Sequence, residues 1–259
     1  MADNFQVNLG SLRSSVNLTL HTHHAARLWF GRQRTDDKPG MIGMSGFSNL
    51  LGRINRGAMQ DDPYSDWFLI QIEDKLAQSK EEMATIDARL DNVMAALPAM
   101  MSVGENLSVQ PAKFDLFLTT PLAFQGVYLL TAYDELVRRL LLAGHVGLID
   151  YQAKSLWLDE GAAILRRLYG LAQKYKGFSG ASRDDFAANN ARAQNAREMY
   201  AFAGEIPQDI LEGTRRAAFA PQIIRASAGK TLLEGDDDHD FDMSRIDDEH
   251  SLHLDSDDQ

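Results

Sequence analysis

From Ser14 to Arg34 the chain reads SSVNLTLHTHHAARLWFGRQR, a stretch crowded with amides, hydroxyls, imidazoles and guanidiniums. Val16, Leu18 and Leu20 alternate with Asn17, Thr19 and His21, the period of a strand with one apolar and one polar face. Such a polar row suits a DNA groove. The major groove admits a two-stranded ribbon, Asn can bond an adenine edge with two hydrogen bonds, and Thr offers a methyl and a hydroxyl to thymine or phosphate. Arg13, Arg27, Arg32 and Arg34 flank the row, where phosphates would run. A half-buried edge strand facing solvent shows the same alternation, so the pattern by itself leaves that plainer reading open.

The histidines pose a second question. On a strand, His21 and His23 would point to one side and could both reach a metal, with His24 pointing elsewhere. A transition-metal site takes at least three protein ligands, and the chain has neither Cys nor an H-E-x-x-H pattern to complete one. No metal is expected, and the histidines read as polar surface or strand-end residues. Other apparent motifs dissolve. AGKT at Ala228–Thr231 lacks the earlier glycine of a phosphate-binding loop, which would fall on Ile224. GFSG at Gly177 lacks the nucleophile-elbow spacing, and Gly40, Gly43 and Gly46 match no nucleotide fingerprint. The adjacent carboxylates Asp61/Asp62 and Asp184/Asp185 suit helix N-termini better than acid–base pairs across a cleft. Neither an enzyme nor a cofactor is indicated.

These residues need a scaffold, and the pattern points to a mainly α protein with two short β-strands. After the first strand, His24–Gln33 can form a short helix, RTDDKPGMIGMSG a loop, and Phe47–Met59 a second helix. From Pro63 to Met101, Leu69, Ile72, Leu76, Ser79, Met83, Ile86, Leu90, Val93 and Leu97 recur at steps of three and four, a heptad seam on a long amphipathic helix. That seam needs a partner helix, from its own chain or from a second copy. A second extended segment, NLSVQPAKFDLFLTTP, sets Phe114, Leu116 and Leu118 against Lys113, Asp115, Phe117 and Thr119. Asp115 would meet phosphate repulsion, so this strand reads as inner support, or as an alternative ribbon anchored by Lys113. Long helices follow from Pro121 to Gly144 and from Asp150 to Lys176, then an alanine-rich helix capped by Ser182, and a shorter piece between Pro207 and Pro221.

A lone strand is unstable, so the first must pair with its own copy in a dimer or with the strand at Phe114. Pairing across a two-fold axis would make residues 14–60 a ribbon-helix-helix-like element. Residues 1–230 read as one mainly helical domain, and 231–259 as a disordered acidic tail with few apolar residues. The net charge of −11 resides in that end of the chain, since Glu234–Gln259 carries 12 acidic residues against Arg245 alone. The remaining 233 residues are neutral overall, with 25 acidic and 25 basic side chains. Within them, residues 1–60 carry seven Lys or Arg against three Asp, while residues 61–110 carry three basic against ten acidic. One face is therefore suited to a polyanion. No apolar run is long enough to span a membrane, MADNFQVNLG lacks a signal-peptide pattern, and cysteine is absent, which together suggest a cytoplasmic protein.

The segments LTLHTHHAARLWFGR, QDDPYSDWFL, FSGASRDDFAANNARA and EIPQDILEGTRRAAFAP resemble a family of bacterial integrating conjugative element proteins. That family looks related to the AcaB-like transcriptional activators of conjugative plasmids, which are similar to ribbon-helix-helix proteins. The likeness spans roughly residues 5–227. It implies a cytoplasmic, dimeric regulator that binds double-stranded DNA and controls conjugative-transfer genes. The long loop Thr35–Gly46 and the helix from Pro63 depart from a compact ribbon-helix-helix unit. The physical pattern places DNA contacts at Arg13, Asn17, Thr19, His21, Arg27, Arg32, Arg34 and Lys113. The competing expectation is a non-enzymatic interaction protein of the conjugation or element-maintenance machinery, acting through the 63–101 helix.

Overall fold

Each long helix of this protein begins at a sequence-encoded stop for the preceding chain. In the computed structural model, which describes residues 15–36 and 39–224, Asp62 caps helix α3 (Pro63–Met94) by accepting from the Tyr64 amide at 3.1 Å, with Pro63 at the first helical position. Thr120 caps α4 (Pro121–His145) and Asp150 caps α5 (Tyr151–Ala172) in the same way. A fourth core helix, α2 (Met44–Met59), turns Met44, Phe47, Leu51, Ile54 and Ala58 inward. These four helices pack on one another around one continuous apolar core.

The seam of α3 is filled from within the chain. Leu69, Ile72, Leu76, Ser79, Met83, Ile86 and Leu90 are all buried, and α3 packs against α2, α4 and α5. The expectation of a protein partner on this seam is thereby corrected, because its apolar side chains already have intramolecular neighbours. The helix also ends at Met94 rather than reaching Met101, leaving Val93 half-buried and Leu97 beyond its last turn.

Around the bundle run shorter elements. Strand β1 (Val16–Leu20) leads through Thr22 into α1 (His23–Phe30), followed by two-residue strands β2 (Gly31–Arg32) and β3 (Met41–Ile42), which pair antiparallel and close the loop between them. This hairpin base was not legible in the sequence. It depends on two glycines: Gly31 sits at φ 82°, and a Cβ on either Gly31 or Gly43 would collide with the facing backbone. Gln173 then clips the loop by accepting from the Ile42 amide and donating to the Gly40 carbonyl.

Beyond α5 the expected single alanine-rich helix is two. Asn189 adopts φ 47° and Asn190 caps a new start, dividing the stretch into α6 (Arg183–Ala187) and α7 (Ala191–Met199). Asn tolerates the left-handed region better than most residues, which explains the break. The last piece, α8 (Gln208–Leu211), is a single turn. The described residues all fall in the first of two units, Met1–Ile224 and Arg225–Gln259. Arg13, Lys38 and the acidic stretch 231–259 lie outside the described residues.

A two-stranded ribbon as candidate nucleic-acid interface

The fourth strand, β4 (Ala112–Leu116), answers what β1 pairs with. The two run antiparallel, with Val16 opposite Leu116, Asn17 opposite Asp115, Leu18 opposite Phe114, Thr19 opposite Lys113 and Leu20 opposite Ala112. The ribbon is thus built inside one chain, and the expected pairing of β1 with a second copy is not needed to make it. Residue alternation sorts its two faces. Leu18, Leu20 and Leu116 are buried, and Phe114 stacks on Trp29 with ring centroids 4.6 Å apart while meeting Phe30 edge-on at 5.6 Å. The other face carries Asn17, Thr19, Lys113 and Asp115; of these only Thr19 is partly covered. Phe117, just past the strand, is 89% exposed.

Two side-chain pairs therefore make up the outer face. With its amide oriented to donate, Asn17 bonds Asp115 Oδ1 at 2.5 Å and the Val16 carbonyl at 3.2 Å. Thr19 lies opposite Lys113. The sequence left β4 either as inner support or as an alternative ribbon anchored by Lys113; here Phe114 and Leu116 pack inward while Lys113 and Asp115 lie on the outer face of the ribbon that β4 shares with β1. The Asn17–Asp115 pair offers both an amide and a carboxylate, and a carboxylate on a ribbon can accept from a cytosine amino group as well as repel a phosphate.

The ribbon is fixed to the bundle by a residue that sequence reasoning missed. Asp134, on α4 and 3% exposed, accepts from the His21 amide at 3.0 Å, the Thr22 amide at 2.9 Å and the Thr22 hydroxyl at 2.6 Å. Thr22 in turn caps α1 through the Ala25 amide. The run LLTAYDELV carries two adjacent acids, and Asp134 falls on the helix face of Leu130 and Val137; an acid on the apolar face is the signal that could have found it, because a buried carboxylate must be fully bonded.

His21 does not continue the Asn17–Thr19 row. The strand ends at Leu20, and the half-buried His21 ring accepts the Ser108 amide at Nδ1, 3.2 Å away. His23 opens α1 instead of sharing a strand with His21, so the two do not form the expected pair on one strand face. Burial, then the positive charge of Arg27, holds the His24 imidazole below its ordinary range. Among the described residues no three His, Asp or Glu side chains converge as a ligand set.

Arg27 lies on α1, Arg32 on β2 and Arg34 in the following loop, all exposed; Arg32 donates to the Pro39 carbonyl at 3.1 Å. Among the described residues, none of these three, nor Lys113, has a carboxylate within ion-pair distance. Arginines on the bundle behave differently: Arg89 pairs with Glu160, Arg139 with Asp87 and Asp91, and Arg167 with Glu82.

Of the four segments that carry the family resemblance, the first supplies the last three residues of β1 and all of α1; the other three meet elsewhere. Asp66, wholly buried, accepts from Arg183 at 2.6 Å and from Arg216 at 2.8 and 2.9 Å, and Asp61 pairs with Arg183 at 2.5 Å. Asp62 accepts from the Ser65 hydroxyl and from both the amide and the hydroxyl of Ser179, and burial pushes its carboxyl above the usual range despite those bonds. Tyr64 stacks on Tyr200 at 4.4 Å beside them. This clamp ties residues 179–216 to the start of α3.

The family model for the transcriptional regulator AcaB matches residues 8–224. The chain belongs to the AcaB family of transcriptional regulators. One solved structure similar to it is the crystal structure of selenomethionine-containing AcaB from uropathogenic E. coli, at 13% identity and a TM-score of 0.49, with the match covering 78% of this chain and 98% of that one. No curated protein matches. The architecture is mainly helical with a few short strands, as the sequence pattern implied, and no helix among the described residues is long and apolar enough to cross a membrane.

Proposed function

We propose that this protein is a DNA-binding regulator of conjugative-transfer genes in an integrative conjugative element, acting in the bacterial cytoplasm and reading double-stranded DNA with the β1–β4 ribbon. The observation that carries this reading is the ribbon itself: an antiparallel pair anchored on one face and displaying Asn17, Thr19, Lys113 and Asp115 on the other, in a member of a transcriptional regulator family. Its width suits the major groove, and its polar atoms suit base edges. Arg27, Arg32 and Arg34 supply charge for backbone phosphates, which fixes register without reading sequence.

The dimer belongs to the same proposal. Among the described residues β1 pairs with β4 along one edge only, which leaves its second edge as a place where another copy can add. Two ribbons related by a two-fold axis would read two half-sites. The test is a mobility shift across a salt series, using promoter fragments of the element against scrambled duplexes. Preferential binding that weakens as salt rises is the expected result. Folded protein that binds neither duplex at low salt would overturn the reading.

A further inference from the structure

Beside the ribbon, the β1–α1 junction forms the floor of a cleft of about 270 Å³, closed by α4 and the loop before β4, with His21, His23, His24, Asn106, Ser108 and Arg138 among its lining residues. The lining contains no carboxylate. Arg138 and Arg139 are neighbours on α4 with opposite circumstances. Arg139 is held by Asp87 and Asp91, whereas Arg138 has no carboxylate within ion-pair distance among the described residues, and its Nε is buried without a hydrogen-bond partner. A guanidinium that lines a cleft and has no counter-ion among the described residues is a ready partner for an anion. The start of α1 adds to the same demand. The Thr22 hydroxyl takes the Ala25 amide, which leaves the first two amides of the helix, those of His23 and His24, without an acceptor in the helix. Unpaired amides at a helix start and a cation without a counter-ion converge on one class of ligand.

We propose that this cleft binds a phosphate group, held by Arg138, the opening amides of α1 and the histidine side chains. Two carboxylates act on lining residues without joining the lining: Asp134 has both oxygens occupied by His21 and Thr22, and Asp159 of α5 acts on His24. The phosphate has two possible sources, a DNA backbone running past the base of the ribbon or a free phosphorylated compound. The site stands independently of the proposed DNA reading; only the first source rests on it.

The experiment titrates inorganic phosphate, against chloride at matched ionic strength, into the full-length protein while following the imidazole resonances of His23 and His24 by NMR. Saturable shifts in the parent, weakened about tenfold in Arg138→Gln with an unchanged melting temperature, are expected. Should Arg138→Gln fail to fold, His23→Ala at an exposed position must weaken the response of His24. Shifts that never saturate, or that neither variant alters, overturn the proposal. Duplex binding then assigns the source. If DNA supplies the phosphate, inorganic phosphate displaces duplex beyond the effect of chloride and Arg138→Gln weakens duplex binding; if a free compound does, Arg138→Gln leaves it unchanged. Saturable phosphate binding without any DNA binding would refute the proposed function alone, and DNA binding without saturable phosphate would refute the cleft alone.

Discussion

Two regions of this molecule use arginine in opposite ways. At the clamp, Arg183 and Arg216 converge on the buried Asp66, and each guanidinium also bonds backbone carbonyls, of Ile210 and Pro221 respectively. At the ribbon, Arg27, Arg32, Arg34 and Lys113 have no carboxylate partner among the described residues and face solvent. A buried pair must be complete, because removing one partner strands a charge in a poorly solvated place. An exposed cation contributes little to folding and remains free to release counter-ions on meeting a polyanion. The clamp therefore holds the fold, and the charge near the ribbon remains available.

The largest effect that could break this contrast is at the clamp. Asp66→Ala should lower stability by about 3–5 kcal/mol in urea unfolding, since it strands both arginines. A smaller loss would show that solvent reaches them. Alkali gives a second test away from the ribbon. Burial pushes the Tyr133 hydroxyl up to about 12, and raises Tyr169, Tyr175 and Tyr200 as well. The folded state keeps these protons after the unfolded chain has begun to lose them near pH 10, so stability falls as pH rises from there. Tyr133 alone accounts for about 2 kcal/mol by pH 12. In Tyr133→Phe the alkaline slope should flatten by that amount.

Ribbon variants should behave in the reverse manner, moving binding and not stability. Lys113→Ala is expected to weaken binding to all duplexes and to reduce the salt slope by about 1, with an unchanged melting temperature. Asn17→Ala should instead reduce discrimination between duplexes by about 1–3 kcal/mol. The smallest effect is the most discriminating. Asp115→Asn removes a negative charge from the outer face and frees the Asn17 amide, so non-specific affinity should rise by a few fold. A fall would mean that the carboxylate itself accepts from a base.

Elements whose signals are local were legible in the sequence. The spacing of Leu69 to Leu90, the proline starts at Pro63 and Pro121, and the alternation around Asn17 and Phe114 each report on neighbours within a few residues. What escaped depends on partners far apart in the chain. Asp134 meets Thr22 across 112 residues, and Arg216 meets Asp66 across 150. The seam of α3 shows the same limit from the other side: its period was plain, but nothing local states that α4 and α5 would fill it. Three of the four resemblance segments turned out to build the clamp, so the residues most telling of family are chiefly those that hold the fold. The candidate site was half legible. Asn17 and Thr19 share one face as their alternation implied, and Lys113 joins them only through the β1–β4 register, which links residues far apart in the chain; His21 leaves the row because Ser108 and Asp134 hold it between β1 and α1.

The account's central claim, that the ribbon face reads DNA, is tested most directly by comparing the parent with the triple variant Asn17→Ala, Thr19→Ala, Lys113→Ala in fluorescence anisotropy on promoter and scrambled duplexes. The account predicts that the variant melts like the parent but loses its preference for promoter DNA. A variant that melts normally and still prefers the promoter as strongly as the parent would contradict it.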